Sequence, residues 1–137
     1  MSVPEGQRGD GKLKAIVKAM ELASYTLAIT KNKNVFPLEY QSALTDDIIR
    51  TSKDIYLKAF TANNILVKNG EDWKKRCDLQ KAACNDCNNM LALIQLAQPV
   101  FHLKSKRIKY WGEKILEVRN LLRKWNISDS KRYNSLL

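Results

Sequence analysis

Lys104, Lys106, Arg107 and Lys109 place four positive side chains within six residues, and Arg119, Arg123 and Lys124 follow on the same stretch, with Lys131 and Arg132 beyond. Cations spaced in this way neutralise phosphates and release their counterions, which gives salt-dependent affinity with little base discrimination. Residues 104–137 hold ten basic against three acidic side chains, so this final quarter carries most of the net charge of +10. Read on a helical wheel, Lys106, Lys109, Arg119, Arg123 and Lys124 fall opposite or beside the apolar stripe of their helix. Glu113 and Glu117 share that outer face, and a solvated mixed-charge helix is the competing reading. The size of the surplus favours RNA. Tyr110 stands beside the cluster, where it can stack on an unpaired base or pack at a bundle edge.

Lys12, Lys14 and Lys18 form a smaller basic group near the other end of the chain. Lys74, Lys75, Arg76 and Lys81 sit among Glu71, Asp72 and Asp78 and read as local ion pairs. No RNA-recognition or helix-turn-helix signature accompanies these groups, so nothing points to direct base reading.

Other chemistries fare worse. Cys77, Cys84 and Cys87 fall close to one helical face, but structural zinc requires four ligands presented by turns as well as helices. They read as small core residues, with Cys84 and Cys87 far from the helix N-terminus that would activate a thiol. His102 is the single histidine and has no acidic or cysteine neighbour in sequence, which marks a loop residue rather than a ligand or base. Asp46 and Asp47 complement a helix dipole and need no catalytic explanation. Neither a Gly-rich phosphate loop nor a Glu-x-x-His pattern occurs. The expectation is a protein without catalysis, metal or cofactor.

These residues must be held by helices. Gly and Pro total eight of 137 residues, too few for a strand-and-turn architecture, and the length suits one core. Residues 1–10 read as a disordered leader ending in an N-cap at Asp10. A first helix is expected over 11–30, with Leu13, Ile16, Val17, Met20, Ala23 and Leu27 as its core stripe. A connector through Phe36-Pro37 leads to a second helix over 42–68, closed by Asn69-Gly70. A third over 71–98 ends at Pro99, and a fourth over 105–126 is capped by Ser105 and followed by a polar, frayed tail over 128–137. Four amphipathic helices with short connectors make an all-α, antiparallel up-down four-helix bundle. Flanking residues such as Ile49, Tyr56 and Leu121 leave room for a second apolar surface and self-association. No apolar run approaches the eighteen residues needed to span a bilayer, so a cytoplasmic protein with reduced thiols and no membrane partner is expected.

The motif Phe36-Pro37-Leu38-Glu39, with Leu44-Thr45, Ile49-Arg50, Ile55, Ala62-Asn63, Leu93-Ile94, Trp111 and Trp125, resembles the bacterial four-helix proteins of the ribosomal intervening-sequence type. The likeness covers roughly residues 12–127, and the family includes the accessory variability determinants of diversity-generating retroelements. The resemblance implies a homopentameric bundle that binds a reverse transcriptase and its template RNA during mutagenic copying. The ribosomal-insert branch, without a polymerase partner, and a purely structural helical adaptor are the alternatives. Phe36 and Pro37, together with Tyr110, are candidate contacts for a partner or neighbouring subunit. A packing clamp is the favoured reading of the Phe-Pro pair.

Overall fold

The computed structural model describes residues 3–137, with side chains from Lys12 onward. Four long helices account for most of the described chain, and no strand occurs among the described residues: α1 (Val3–Thr30), α2 (Asp46–Asn64), α3 (Gly70–Phe101) and α4 (Ser105–Tyr133). Each helix touches its neighbours in sequence, and α1 also packs on α4. The cross-helix pairs give the directions. Tyr25 and Thr26 of α1 meet Arg107 and Trp111 of α4, whereas Lys18 meets Glu117. Ser105, Arg119 and Asp129 of α4 bond successively to Gln98, Asn88 and Arg76 of α3. Position numbers fall on one helix as they rise on the other, so both seams are antiparallel.

The core is built from Ile48, Ile55 and Ala59 of α2, Ala83, Cys87, Met90 and Ile94 of α3, and Trp111, Ile115, Val118, Leu122 and Trp125 of α4. α1 departs from the expected stripe. Its buried face is Ala15, Ile16, Ala19, Leu22, Ala23, Thr26 and Thr30, while Leu13, Met20 and Leu27 are 56%, 45% and 46% exposed. The inner face is rich in small residues, and one of them, Thr26, meets the indole of Trp111. The buried hydroxyls are satisfied: Thr26 and Thr30 donate to carbonyls four residues back, and Trp111 Nε1 donates to Thr26 Oγ1 at 3.2 Å. Leu13, Val17, Met20 and Leu27, spaced by four, three and seven residues, thus form an outer stripe that stays exposed among the described residues.

Several boundaries differ from expectation for local reasons. Helical backbone begins at Val3, so it passes through Asp10 and Gly11 rather than starting there; Met1 and Ser2 lie outside the described residues. Between α1 and α2, Pro37 is extended, a 3-10 turn spans Leu38–Tyr40, and a wider π turn spans Gln41–Thr45. Gln41 ties this connector together, accepting from Lys33 Nζ at 2.6 Å and donating to Asp46 at 2.7 Å. α2 ends at Asn64, before the expected Lys68, with Ile65 extended. Asn69-Gly70 starts α3 rather than stopping α2, because the Asn69 side chain caps α3 by accepting from the Asp72 amide at 2.8 Å.

Pro99 lies inside the last turn of α3, which runs on to Phe101. His102 then adopts a left-handed conformation (φ 55°, ψ 46°), and the Leu103 amide reaches back to the Gln98 carbonyl at 3.0 Å, the closing bond of a Schellman turn. Beneath it, Phe101 and Leu103 are buried. Ser105 does not cap α4; Lys104 occupies that position, with no side-chain capping bond.

The segment expected to fray is docked. α4 continues to Tyr133 and a 3-10 turn spans Asn134–Leu136. Trp73 Nε1 donates to Asn134 Oδ1 at 3.0 Å, and the Trp73 and Tyr133 rings lie 5.6 Å apart. Gly70 allows this contact: a Cβ there would stand 2.6 Å from the Leu136 carbonyl oxygen.

Candidate nucleic-acid interface

The Schellman turn delivers the chain directly into the basic start of α4, whose first turn contains no acidic residue. Cations at this end oppose the helix dipole, an arrangement that disfavours the isolated chain and is relieved by an anion. Lys104, Lys106 and Arg107 border a cleft of about 630 Å³, together with Tyr25, His102 and Tyr110, and no carboxylate among the described residues lines it. Arg107 Nη1 donates to the Tyr25 hydroxyl at 3.3 Å, which draws its guanidinium towards α1. The Tyr25 and Tyr110 rings meet at 5.3 Å and 70°, with the Lys114 ammonium 5.5 and 5.2 Å from their centres. Tyr110 nonetheless stays 52% exposed. The cleft combines positive charge with an accessible aromatic side chain.

The remaining sequence-selected cations do not join this cleft. Lys106 and Lys124 are eighteen residues apart in one helix, roughly 27 Å along its axis. Lys109, Arg123 and Lys124 are exposed on α4, and Arg123 borders a smaller cleft of about 250 Å³ with Lys81, Cys84, Asn126 and Ile127. Arg119 turns towards α3 and donates to Asn88 Oδ1 at 2.6 Å, so it helps fix a helix seam. None of Lys104, Lys106, Arg107, Lys109, Arg119, Arg123 or Lys124 forms an ion pair among the described residues. On α1, Lys14 is exposed and Lys12 half-buried, while Lys18 is within 3.3 Å of Glu21 and 4.0 Å of Glu117. Glu117, which shares the outer side of α4, is therefore engaged by α1.

Phe36 is fully buried, its ring 5.1 Å from Phe101 and 6.2 Å from Trp111. It locks the connector onto the α3–α4 corner and has no face left for a partner in this chain; Pro37 beside it is half-buried.

At the opposite end of the α3–α4 pair lies a polar cluster that the sequence reading did not separate from surface charge. Arg76, 5% exposed, donates from Nε to Asp129 Oδ2 at 2.9 Å, and Gln80 Nε2 donates to the same oxygen at 2.8 Å. Gln80 Oε1 accepts from Asn126 at 2.7 Å, and Arg76 Nη1 donates to the Ile65 carbonyl at 3.2 Å. The guanidinium also lies 5.2 Å from the Trp125 ring centre. Lys74 and Lys75 make the local pairs expected of their segment, with Asp78 and Glu71. The available signal was periodicity: Trp73, Arg76, Gln80 and Ala83 lie on one helical face.

Cys87 is buried, and Cys77 and Cys84 are half-buried. Burial pushes the Cys87 thiol up to about 12, reinforced by neighbouring Cys84 and Asp86 and opposed by Arg119 and Arg123. Burial also raises Cys84, against lowering by Arg123 and Arg119. Such thiols are poor nucleophiles and poor metal ligands. No cluster of three or more His, Cys, Asp or Glu suited to a metal occurs among the described residues, and no helix there is long and apolar enough to cross a membrane. The chain matches no protein-family model, no curated protein and no solved structure.

Proposed function

We propose that this protein is a non-catalytic, RNA-binding accessory subunit that assembles with copies of itself and holds a reverse transcriptase on its template RNA. The observation that carries the RNA reading is the set of cations on α4 without carboxylate partners among the described residues, within a chain of net charge +10. Binding through such side chains positions phosphates without reading bases, which suits a subunit whose contribution is to hold two larger partners in register. The polymerase partner and a pentameric assembly rest on the family resemblance alone. Self-association has independent support in the uncovered stripe of Leu13, Val17, Met20 and Leu27 and in exposed Leu57 and Phe60 on α2.

The test is purification of the tagged protein with its native neighbours at moderate salt, followed by sequencing of co-purifying RNA. The variant changes Lys106, Lys109, Arg123 and Lys124 together to Glu. One discrete RNA recovered with a polymerase, and lost in the variant, supports the reading. No enrichment over a control protein of equal charge overturns it and leaves a protein-only helical adaptor. Met20→Lys with Leu27→Lys, followed by sedimentation, tests assembly separately: a mass unchanged from the wild type removes this stripe from the interface.

A further inference from the structure

We infer that the cleft at the α3–α4 corner holds one unpaired nucleotide of the bound RNA, its base against Tyr110 and its phosphate among Lys104, Lys106 and Arg107. The inference deepens the RNA-binding reading and rests on it. The volume of about 630 Å³ lies within the range of roughly 300–1,000 Å³ typical of small-ligand sites, whereas a smooth positive surface would suffice for a phosphate backbone alone. Three cations border the cleft and, among the described residues, no carboxylate does, so an anionic group is favoured there. Tyr110 remains 52% exposed although it packs against Tyr25 and lies near Lys114, leaving aromatic surface for a base. Bases are available for such contact only when unpaired, because a duplex hides their faces in the stack. Asn34, exposed on the α1–α2 connector, borders the same cleft and can both donate to and accept from a base edge.

The neighbouring charge explains why the occupant is part of a chain rather than a free nucleotide. Lys109 is exposed one turn beyond Lys106 and outside the cleft, where it can meet the next phosphate. The Schellman turn, pinned by buried Phe101 and Leu103, fixes the rim on which the cations stand.

The test uses oligoadenylate carrying one 2-aminopurine, either single-stranded or annealed to its complement, titrated with the full-length protein. Wild-type protein is expected to bind the single strand more tightly and to quench its fluorescence. Tyr110→Leu is expected to weaken single-strand binding roughly 5- to 150-fold, the range for loss of one stacked base, with duplex binding unchanged. Tyr110→Phe keeps the ring and is expected to restore both affinity and quenching. Lys104→Gln with Lys106→Gln should weaken both forms and keep the quenching that remains at saturation. Equal affinity for single strand and duplex, or quenching that survives Tyr110→Leu, overturns the inference while leaving RNA binding intact. Absence of binding to either form overturns the RNA-binding reading along with it.

Discussion

Replacing Asp129 by Ala removes the carboxylate that accepts from both Arg76 and Gln80, and it leaves the guanidinium with one carbonyl and the rings of Trp125 and Tyr133. The two charged side chains are only 6% and 3% exposed, so water cannot take over the role of the lost partner without opening the α3–α4 seam. Breaking a buried pair from one side costs about 3–5 kcal/mol, against about 0–1 kcal/mol for an exposed one. A chain of 137 residues loses roughly 3–4 °C in midpoint per kcal/mol, so the expected fall in Tm is about 10–20 °C. The second arm is Arg76→Met with Asp129→Leu, which removes both charges and is expected to recover most of the loss. Urea unfolding followed by helical circular dichroism measures each variant. A single-variant loss below about 1 kcal/mol, the level of an exposed pair, would refute the assignment of a desolvated pair. A double variant as unstable as the single would show that the cost is packing rather than an unmatched charge.

Two glycines have opposite expectations. Gly112→Ala is expected to stabilise by about 0.5–1 kcal/mol, since it sits inside α4 and an added Cβ has Leu91 Cδ2 at 3.9 Å as its nearest neighbour. Gly70→Ala should displace the 3-10 turn at Asn134–Leu136, because the new methyl meets the Leu136 carbonyl, and amide exchange over that turn reports it. Cys87 is expected to resist alkylation at pH 8 in the folded protein and to react on unfolding. Its thiol pKa is raised from 9.0 to about 12 by burial, so the unfolded chain ionises first and this group withdraws stability as pH climbs from about 9 towards 12. A Cys87→Ala variant should show a shallower alkaline loss in unfolding titrations. In the RNA assay, the four-residue Glu variant should lower the log–log salt slope for single strands by about 3 if all four side chains meet phosphates in the wild type.

The sequence made the helices legible wherever one apolar stripe met one polar face, as on α4, where the three- and four-residue spacing of Ile108, Trp111, Ile115, Val118, Leu122 and Trp125 marks the inner face and all but half-buried Ile108 are buried. α1 was legible only in part: Ile16 and Ala23 of the expected stripe are buried, but the helix has two apolar faces, and Leu13, Val17, Met20 and Leu27 lie on the outer one. Hydrophobicity ranks Leu13 and Met20 above Ala15 and Ala19, but the helix turns the smaller pair into the core and the larger pair outwards. The docked tail was illegible for a related reason. Asp129 and Asn134 are polar by type, and only Arg76 and Trp73, more than fifty residues upstream, hold them against the bundle, Asp129 as a buried group and Asn134 as an exposed acceptor. Pro99 read as a stop because proline lacks an amide donor, but the helix end is fixed two residues later by Phe101 and the left-handed His102. At the candidate interface, the cluster of cations could be read from sequence. Its division into a cleft at one end and a separate exposed group roughly 27 Å away could not, because it depends on where α1 and α3 cross α4.

The order of the helices also bears on how the bundle is assembled. Three seams join consecutive helices, and the Gln98–Ser105 contact spans only seven residues, whereas the α1–α4 seam joins Thr26 to Trp111 across eighty-five. Closing the longer loop costs about 2 kcal/mol more by the logarithmic scaling of chain entropy. Hairpins of consecutive helices should therefore form before α1 meets α4. Weakening the Thr26–Trp111 contact should then accelerate unfolding while leaving the refolding rate nearly unchanged, placing the last-formed seam beside the basic cleft.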